Sequence, residues 1–307
     1  MRVMITGIAG FIGSHLARAH VDSGDHVFGV DNFSTGSRIN IDKIPNLQII
    51  ESGVTEALGD FPQDLDIVYH FASPASPEKY MEMAMNTMEV NTIGTLGLLQ
   101  YCQRTGARLI FASTSEIYGD PQVSPQSEEY WGNVNPIGPR SVYDEAKRFG
   151  ETLVSHFRRT HGVKTGIIRI FNTYGPNMDP FDGRVVSTFI RQALNGEPFT
   201  IYGDGTQTRS FCYIEDLVRG IQKMGESDNP GPINLGNPTE HTLLELAQIV
   251  GSVVGRNLGI ILKPLPEDDP RHRNPDISRA REVLGWEPEI SLEEGVSRTA
   301  DWMRSSA

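Results

Sequence analysis

Tyr143 and Lys147 are the residues of this chain whose types and spacing point most directly to chemistry. At i and i+4 they fall one above the other on one face of a helix. An ammonium beside a phenol favours the phenolate, because a nearby opposite charge stabilises the ionised form. A phenolate available near neutral pH is a general base for a hydroxyl group. Such a base supports an oxidation only beside a hydride acceptor, and the start of the chain suggests where one sits. Gly7-x-x-Gly10-x-x-Gly13 follows a short apolar stretch at residues 3–6 and opens a helical pattern over residues 14–21. In a strand–turn–helix context the first glycine permits the tight turn, the second lets a pyrophosphate approach the backbone, and the third lets helix and strand pack closely. The helix start then offers free N–H groups to the anion. A second strand at residues 26–30 runs into Asp31. An acidic residue there hydrogen-bonds both ribose hydroxyls and repels a 2′-phosphate, which selects NAD over NADP.

The elements that must position these groups alternate along the first half of the chain. Residues 47–50 and 67–71 read as strands, residues 92–104 as a helix with Leu96, Leu99 and Cys102 at core spacing, and residues 108–112 as another apolar strand. The helix carrying Tyr143 and Lys147 runs to about residue 160, and residues 164–170 form the next strand. This alternation predicts an α/β fold with a parallel, doubly wound Rossmann sheet. Ala72-Ser73-Pro74-Ala75-Ser76-Pro77 is too proline-rich for helix or central strand and is expected as a loop at the carboxyl ends of the strands, where open α/β sheets bind ligands. After Phe171 the loops lengthen, with helices expected at residues 185–194, 214–224, 243–254 and 292–303. Residues 1–171, with return segments at about 212–235, are therefore expected as the dinucleotide-binding domain, and residues 172–307 mainly as a smaller C-terminal α/β substrate-binding domain.

Composition limits the partners. The chain has 307 residues, 38% of them hydrophobic and 21% charged, ordinary values for a soluble globular protein. A formal net charge of -12 argues against nucleic acid or an anionic membrane as a partner. Basic residues that matter are expected in a pocket for a small anion. Cys102 and Cys212 imply no disulfide framework and fit a reducing, cytoplasmic setting. No signal-peptide pattern precedes the first strand, and no apolar run approaches the ~20 residues of a membrane span. His15, His20, His26 and His70 show no metal-ligand spacing, so no metal site is expected.

The glycine triplet, Ser113-Thr114-Ser115-Glu116-Ile117-Tyr118-Gly119 and Tyr143-x-x-x-Lys147 resemble the extended short-chain dehydrogenase/reductase family. Residues 72–77, Tyr118-Gly119-Asp120-Pro121, residues 135–140, 169–176 and 182–186, and Asn234-Leu235-Gly236-Asn237-Pro238 extend the resemblance to the UDP-glucuronic acid decarboxylases within it. The similarity runs from about residue 3 to about residue 295. It implies a three-step reaction on one tightly held NAD: oxidation of UDP-glucuronate at C4, loss of CO2 from the resulting β-keto acid, and return of the hydride to C4 to give UDP-xylose. By resemblance Tyr143 is the base, Lys147 supports it and binds the nicotinamide ribose, Thr114 holds the C4 oxygen, Glu116 handles the proton at C5, and Arg273 holds the carboxylate or assists protonation. Phe11, Ile12, Asn32, Ser34, Thr35, Gly36, Val54 and Ala72 join the three glycines and Asp31 around the cofactor. Arg209 and Asn172 are implied at the pyrophosphate, Val186 and Tyr202 at the uracil, Tyr80 at the sugar, and Ser115 and Gln207 elsewhere on the substrate. A homodimer through the helices near residues 92–104 and 142–160 is also implied. The chain departs from the family at Gly53, where an Asp often contacts adenine, and at Glu89-Val90, where Lys-Thr is usual; neither touches the reacting atoms.

Epimerases and 4,6-dehydratases acting on nucleotide sugars share the fold and the Tyr/Lys pair. A dehydratase is expected to show Asp-Glu where this chain has Ser115-Glu116, and an epimerase usually lacks a carboxylate there. Ser115-Glu116 with Arg273 therefore favours decarboxylation. A non-catalytic dinucleotide sensor would have no reason to keep Thr114, Tyr143 and Lys147 together.

Overall fold

The computed structural model describes residues 1–264 and 272–306. Seven strands form the central sheet: β1 (Arg2–Thr6), β2 (His26–Asp31), β3 (Gln48–Glu51), β4 (Ile67–His70), β5 (Arg108–Thr114), β6 (Thr165–Ile170) and β7 (Ile233–Leu235). Their order is β3-β2-β1-β4-β5-β6-β7, and every pairing is parallel. Strands buried on both faces carry near-continuous apolar runs, and β5 is buried at every position. Val3 and Ile5 feed one core and Met4 the opposite one, as the period-2 alternation of a strand requires. The strand order reverses between β1 and β4. The carboxyl ends at this switch point, Thr6 and His70, flank the crevice where such sheets take ligands.

Two helices place the chemistry. Helix α1 (Phe11–Asp22) starts directly after the glycine turn. Helix α2 (Ser141–His161) buries Tyr143, Lys147, Gly150, Val154 and Phe157, a 3.6-residue periodicity that turns the Tyr/Lys face onto the sheet. Gly150 lets it come close: a β-carbon there would lie 2.4 Å from Phe111 Cζ on β5. Gly162, in the left-handed region, terminates α2.

A buried polar network locks the sheet beneath the site. Arg169 on β6 donates from Nε and Nη2 to the two carboxylate oxygens of Glu151 at 2.9 and 2.8 Å. Its Nη1 donates to the Tyr118 hydroxyl at 2.9 Å, which donates to Asn234 Oδ1 on β7 at 2.8 Å. Ser113 Oγ completes the set by donating to Glu151 at 2.6 Å.

Beyond the sheet, three helices (Val185–Asn195, Leu243–Val254 and Leu292–Ser306) pack together. Three two-stranded ribbons accompany them: Thr173–Tyr174 with Cys212–Tyr213, Thr208–Ser210 with Glu240–Thr242, and Phe199–Tyr202 with Ile260–Lys263. The expected helix at residues 92–104 differs in detail. Regular helix spans Thr95–Thr105, preceded by helices at Pro77–Glu82 and Ala84–Glu89 and a π-turn at Val90–Gly94. Thr92 and Thr95 donate back to the carbonyls of Met88 and Asn91 at 2.7 and 2.8 Å, the side-chain bonding that competes with a regular helical ladder.

Candidate active site

A cleft of about 350 Å³ opens at the switch point. Gly7, Gly10, Asp31, Asn32, Ser34, Thr35, Gly36, Val54 and Ala72 all line it. Gly7 has φ +72°, and a β-carbon there would lie 2.8 Å from Ala72 Cα, so the turn admits only glycine. At Gly10 a β-carbon would approach only the Gly7 carbonyl, at 3.2 Å, which leaves bare backbone facing the cleft. At Gly13 it would lie 2.1 Å from the same oxygen. Phe11, Ile12 and Gly13 form the first turn of α1, which has no side-chain cap, so its leading N–H groups remain for an anion. Asp31 accepts from the Ala9 and Phe33 N–H groups at 2.9 and 2.8 Å, which fixes its carboxylate at the cleft wall. Burial raises its pKa, partly opposed by those two bonds. The bare glycine cradle and the fixed carboxylate fit a dinucleotide with a free 2′-hydroxyl.

The reacting groups converge at the end of β5. Thr114 caps a 3₁₀ turn, Ser115–Tyr118, and accepts the Glu116 N–H at 3.2 Å. Tyr143 is buried, hydrogen-bonded to Thr114 and stacked on Tyr80 with ring centroids 4.8 Å apart and planes 5° from parallel. Lys147 Nζ donates to the Ala112 carbonyl at 2.8 Å and lies 5.7 Å from the Tyr143 ring centroid. Burial pushes the Lys147 ammonium down to about 7. The expected lowering of the phenol by Lys147 is not met: burial pushes Tyr143 well above its ordinary value, and the Thr114 bond opposes this only in part. Arg273, 3% exposed, donates to Glu116 Oε1, to Ser115 Oγ at 3.1 Å and to the Gly119 carbonyl at 3.3 Å. Arg140 Nη2 donates to the other Glu116 oxygen at 2.7 Å. Burial alone would raise the Glu116 pKa, but the two guanidinium charges outweigh it and hold the carboxyl well below its usual range. Of the run 269–276 that carries Arg273, residues 269–271 lie outside the described residues.

Of the substrate-side residues, Arg209 and Tyr202 lie on the ribbons. Arg209 lies on Thr208–Ser210, and Ser210 Oγ donates to the Arg273 carbonyl at 3.3 Å, which ties this strand to the Glu116 cluster. The Cys212 N–H donates to the Asn172 carbonyl at 2.9 Å. Val186 is buried in the first turn of Val185–Asn195. Tyr202 is exposed, and its carbonyl accepts from Gln207 Nε2. Among the described residues, no hydrogen bond or ring contact joins Val186, Tyr202 or Gln207 to Tyr143.

Residues 3–236 match the NAD dependent epimerase/dehydratase family. The chain belongs to this family. NAD is accordingly its cofactor, and among curated relatives the expected likeness to the decarboxylases holds. The chain is 51% identical to UDP-glucuronic acid decarboxylase 6 of Arabidopsis thaliana over 96% of its own length and 87% of the relative. It is 49% identical to UDP-glucuronic acid decarboxylase 1 of Danio rerio over 98% of its length and 72% of the relative. Solved structures of family members share the fold. The UDP-glucose 4-epimerase of Thermotoga maritima with UDP-glucose has a TM-score of 0.92 at 32% identity, covering 100% of this chain and 99% of that one. The UDP-glucuronic acid 4-epimerase of Bacillus cereus with UDP-glucuronic acid and NAD has a TM-score of 0.87 at 28% identity, covering 100% of both.

Two members of this family site were not singled out from sequence. Arg140 stood in a quoted motif without a role; only the fold brings it to Glu116, 24 positions away. Asp144 is buried with Oδ1 unpartnered among the described residues. Burial, and then the Glu116 charge, raise its pKa to about 7 against the pull of Arg140 and Arg273. Its place beside Tyr143 was the available signal. Glu89 lines the cleft, so a carboxylate stands where the family usually has lysine.

Proposed function

We propose that this chain converts UDP-glucuronate to UDP-xylose and CO2. The observation that carries the reading is the Arg273–Glu116–Arg140 cluster set beside Thr114 and Tyr143. Arg273 and Arg140 hold Glu116 ionised beside the reacting groups, and guanidinium groups in a site shielded from water suit a substrate carboxylate. The decarboxylase names of the relatives at about 50% identity support the same reading.

Bound NAD supplies the hydride acceptor at C4 and returns the hydride at the end. Tyr143 takes the C4 hydroxyl proton while Thr114 holds the oxygen, and the positive charges of Lys147 and of oxidised NAD would offset the burial that otherwise raises the phenol. Lys147, fixed by the Ala112 carbonyl, supports the phenol and the nicotinamide ribose. In the 4-keto acid the C5–C6 bond breaks, CO2 leaves, and its electron pair passes to the C4 oxygen as an enolate. Arg273 steadies the carboxylate before it leaves, and the Glu116–Arg273 pair orients a water molecule whose proton goes to C5, the hydroxide being neutralised by solvent. Tyr143 then gives its proton back to the C4 oxygen. We assign the pyrophosphate to Arg209 and Asn172, the uracil to Val186, Tyr202 and Gln207, and the sugar to Tyr80 and Ser115. Residues 1–171 with about 212–235 thus serve the cofactor, and the rest mainly the nucleotide sugar.

We also assign a homodimer through Thr95–Thr105 and α2, supported by the exposed Phe149 on α2 and by Ile93 beside the first helix. Light scattering tests it. The two buried free thiols, Cys102 and Cys212, support a cytoplasmic setting. The fold is also that of the 4-epimerases, so the deciding experiment is incubation with UDP-glucuronate and product analysis. CO2 with UDP-xylose is expected; UDP-galacturonate without CO2 would reverse the assignment.

A further inference from the structure

Arg140 joins the two halves of the site through different parts of one residue. Its backbone carbonyl accepts from the Tyr143 and Asp144 N–H groups at 3.1 and 3.2 Å, and so closes the first turn of the helix that carries the base. Its side chain, 12% exposed, leaves that helix and donates from Nη2 to Glu116 Oε2 at 2.7 Å, on the 3₁₀ turn after β5. The other Glu116 oxygen accepts from Arg273. Arg273 is also engaged by Ser115 Oγ and the Gly119 carbonyl, and it is the guanidinium assigned to the substrate carboxylate. Glu116 and that carboxylate therefore compete for Arg273. Arg140 holds Glu116 by the oxygen that Arg273 does not use.

We propose that Arg140 is a positioning residue for the protonation at C5: it keeps Glu116 in place and ionised while Arg273 turns to the substrate carboxylate. This rests on the decarboxylation reading. A buried carboxylate stripped of its counter-charge takes up a proton or turns to water. With two guanidinium groups on one carboxylate, one can be drawn off while the other remains. The groups for C4 oxidation are held otherwise, Lys147 by the Ala112 carbonyl and Tyr143 by Thr114 and the stack on Tyr80. Loss of the Arg140 side chain leaves its backbone bonds to the base helix intact and therefore separates the two steps. Oxidation at C4 proceeds, and protonation at C5 lags. An enolate cannot take a hydride at C4; only the ketone formed by protonation at C5 can.

The test is single turnover of saturating UDP-glucuronate by the NAD-loaded full chain, followed by NADH absorbance and product analysis. In the wild type the NADH signal rises with C4 oxidation and decays as CO2 and UDP-xylose form. Arg140→Leu is expected to keep the rise within about threefold and to lengthen the decay about tenfold or more, the scale of a displaced proton-handling group. Arg140→Gln fills much of the same space without charge; it is expected to behave alike and carries the test if the leucine variant does not fold. Arg140→Lys returns a point charge and is expected to decay at least about threefold faster than Arg140→Leu. Calorimetric affinity for UDP-xylose, which has no carboxylate, is expected to stay within about threefold in every variant. Wild-type decay in the neutral variants overturns the proposal, as does a lysine variant no faster than leucine. Equal slowing of rise and decay, or a matching loss of UDP-xylose affinity, also overturns it, since Arg140 would then only support the shape of the site. A wild type that forms no CO2 from UDP-glucuronate removes the decarboxylation reading itself, and the proposal with it.

Discussion

Replacing Glu116 by Gln keeps the shape of the side chain and removes its charge from between Arg273 and Arg140. In the folded chain the Glu116 carboxyl is pulled from its ordinary 4.5 to about 2, because the two guanidinium charges overcome the burial that would raise it. That difference corresponds to about 3 kcal/mol of folding free energy. The folded pKa is depressed, so this stability is present above pH 4.5 and is lost as pH falls through about 2. The Glu116→Gln change would instead take from Arg273, 3% exposed, its ion-pair partner, a loss of the same order as breaking a buried pair from one side. Urea denaturation followed by tryptophan fluorescence, with the buried Trp286 as a reporter, measures the effect. At pH 7 the variant is expected to be less stable by about 3 kcal/mol. Between pH 4.5 and about 2 the two curves are expected to converge, as Glu116 takes up its proton first in the unfolded and then in the folded wild type. Coincident midpoints at pH 7 would refute the reasoning, since they would mean that desolvation of the charges cancels their attraction.

Other outcomes follow from the same geometry. Tyr143→Phe keeps the stack on Tyr80 and removes the base, so turnover of UDP-glucuronate should fall by about 10²–10⁴-fold while calorimetric NAD affinity stays nearly unchanged. Lys147→Met removes an ammonium that burial pushes down to about 7. Between pH 7 and the ordinary lysine value the unfolded chain binds the extra proton, so wild-type stability rises with pH across that window. The Lys147→Met variant should therefore be more stable than the wild type at pH 6, by up to about 5 kcal/mol less the lost bond to the Ala112 carbonyl, with the gain shrinking toward pH 10 in denaturation curves and activity lost throughout. Gly13→Ala forces a β-carbon to within 2.1 Å of the Gly7 carbonyl. It should weaken NAD binding about tenfold or more and lower stability by about 1–3 kcal/mol, read by calorimetry and urea denaturation.

The parts of the site that sequence made legible are those set by local periodicity or by backbone constraint. The buried face of α2 at Tyr143, Lys147, Gly150, Val154 and Phe157 is a helical repeat, and the glycine turn follows from what each position must leave empty. Less legible were contacts that close long loops. Arg273 reaches Glu116 across 157 positions and Ser115 across 158; its role came from resemblance, since nothing local marks it out from a solvated arginine. Short ribbons such as Ile260–Lys263, exposed at all four positions, carry no alternation by which a strand is recognised. The π-turn at Val90–Gly94 also escaped, because threonine back-bonding alters the ladder without changing the apolar spacing. The Tyr143 expectation erred for another reason: it counted the lysine charge and left out burial, which acts on both groups at once.

The site holds several ionisable groups away from their ordinary behaviour within one small volume. Lys147 is pushed toward neutrality, Asp144 toward protonation and Glu116 toward permanent charge. Left to relax, such groups would turn to water, so the surrounding chain must prevent it. The 3₁₀ turn bearing Glu116 is held at its far end by Tyr118, whose hydroxyl bonds Asn234 on β7 and Arg169 on β6. The Asn234 amide reaches back to the carbonyls of Gln126 and Asp276 at 2.9 and 3.1 Å, and Gln126 accepts the Asn274 N–H next to Arg273 at 2.9 Å. Both halves of the Glu116–Arg273 pair are thus tied to the same last strand of the sheet. Glu116 cannot swing out of the site without disturbing an interstrand network. This explains how a buried carboxylate and its arginine, brought from distant parts of the chain, stay aligned beside a base whose own position is set by an unrelated helix.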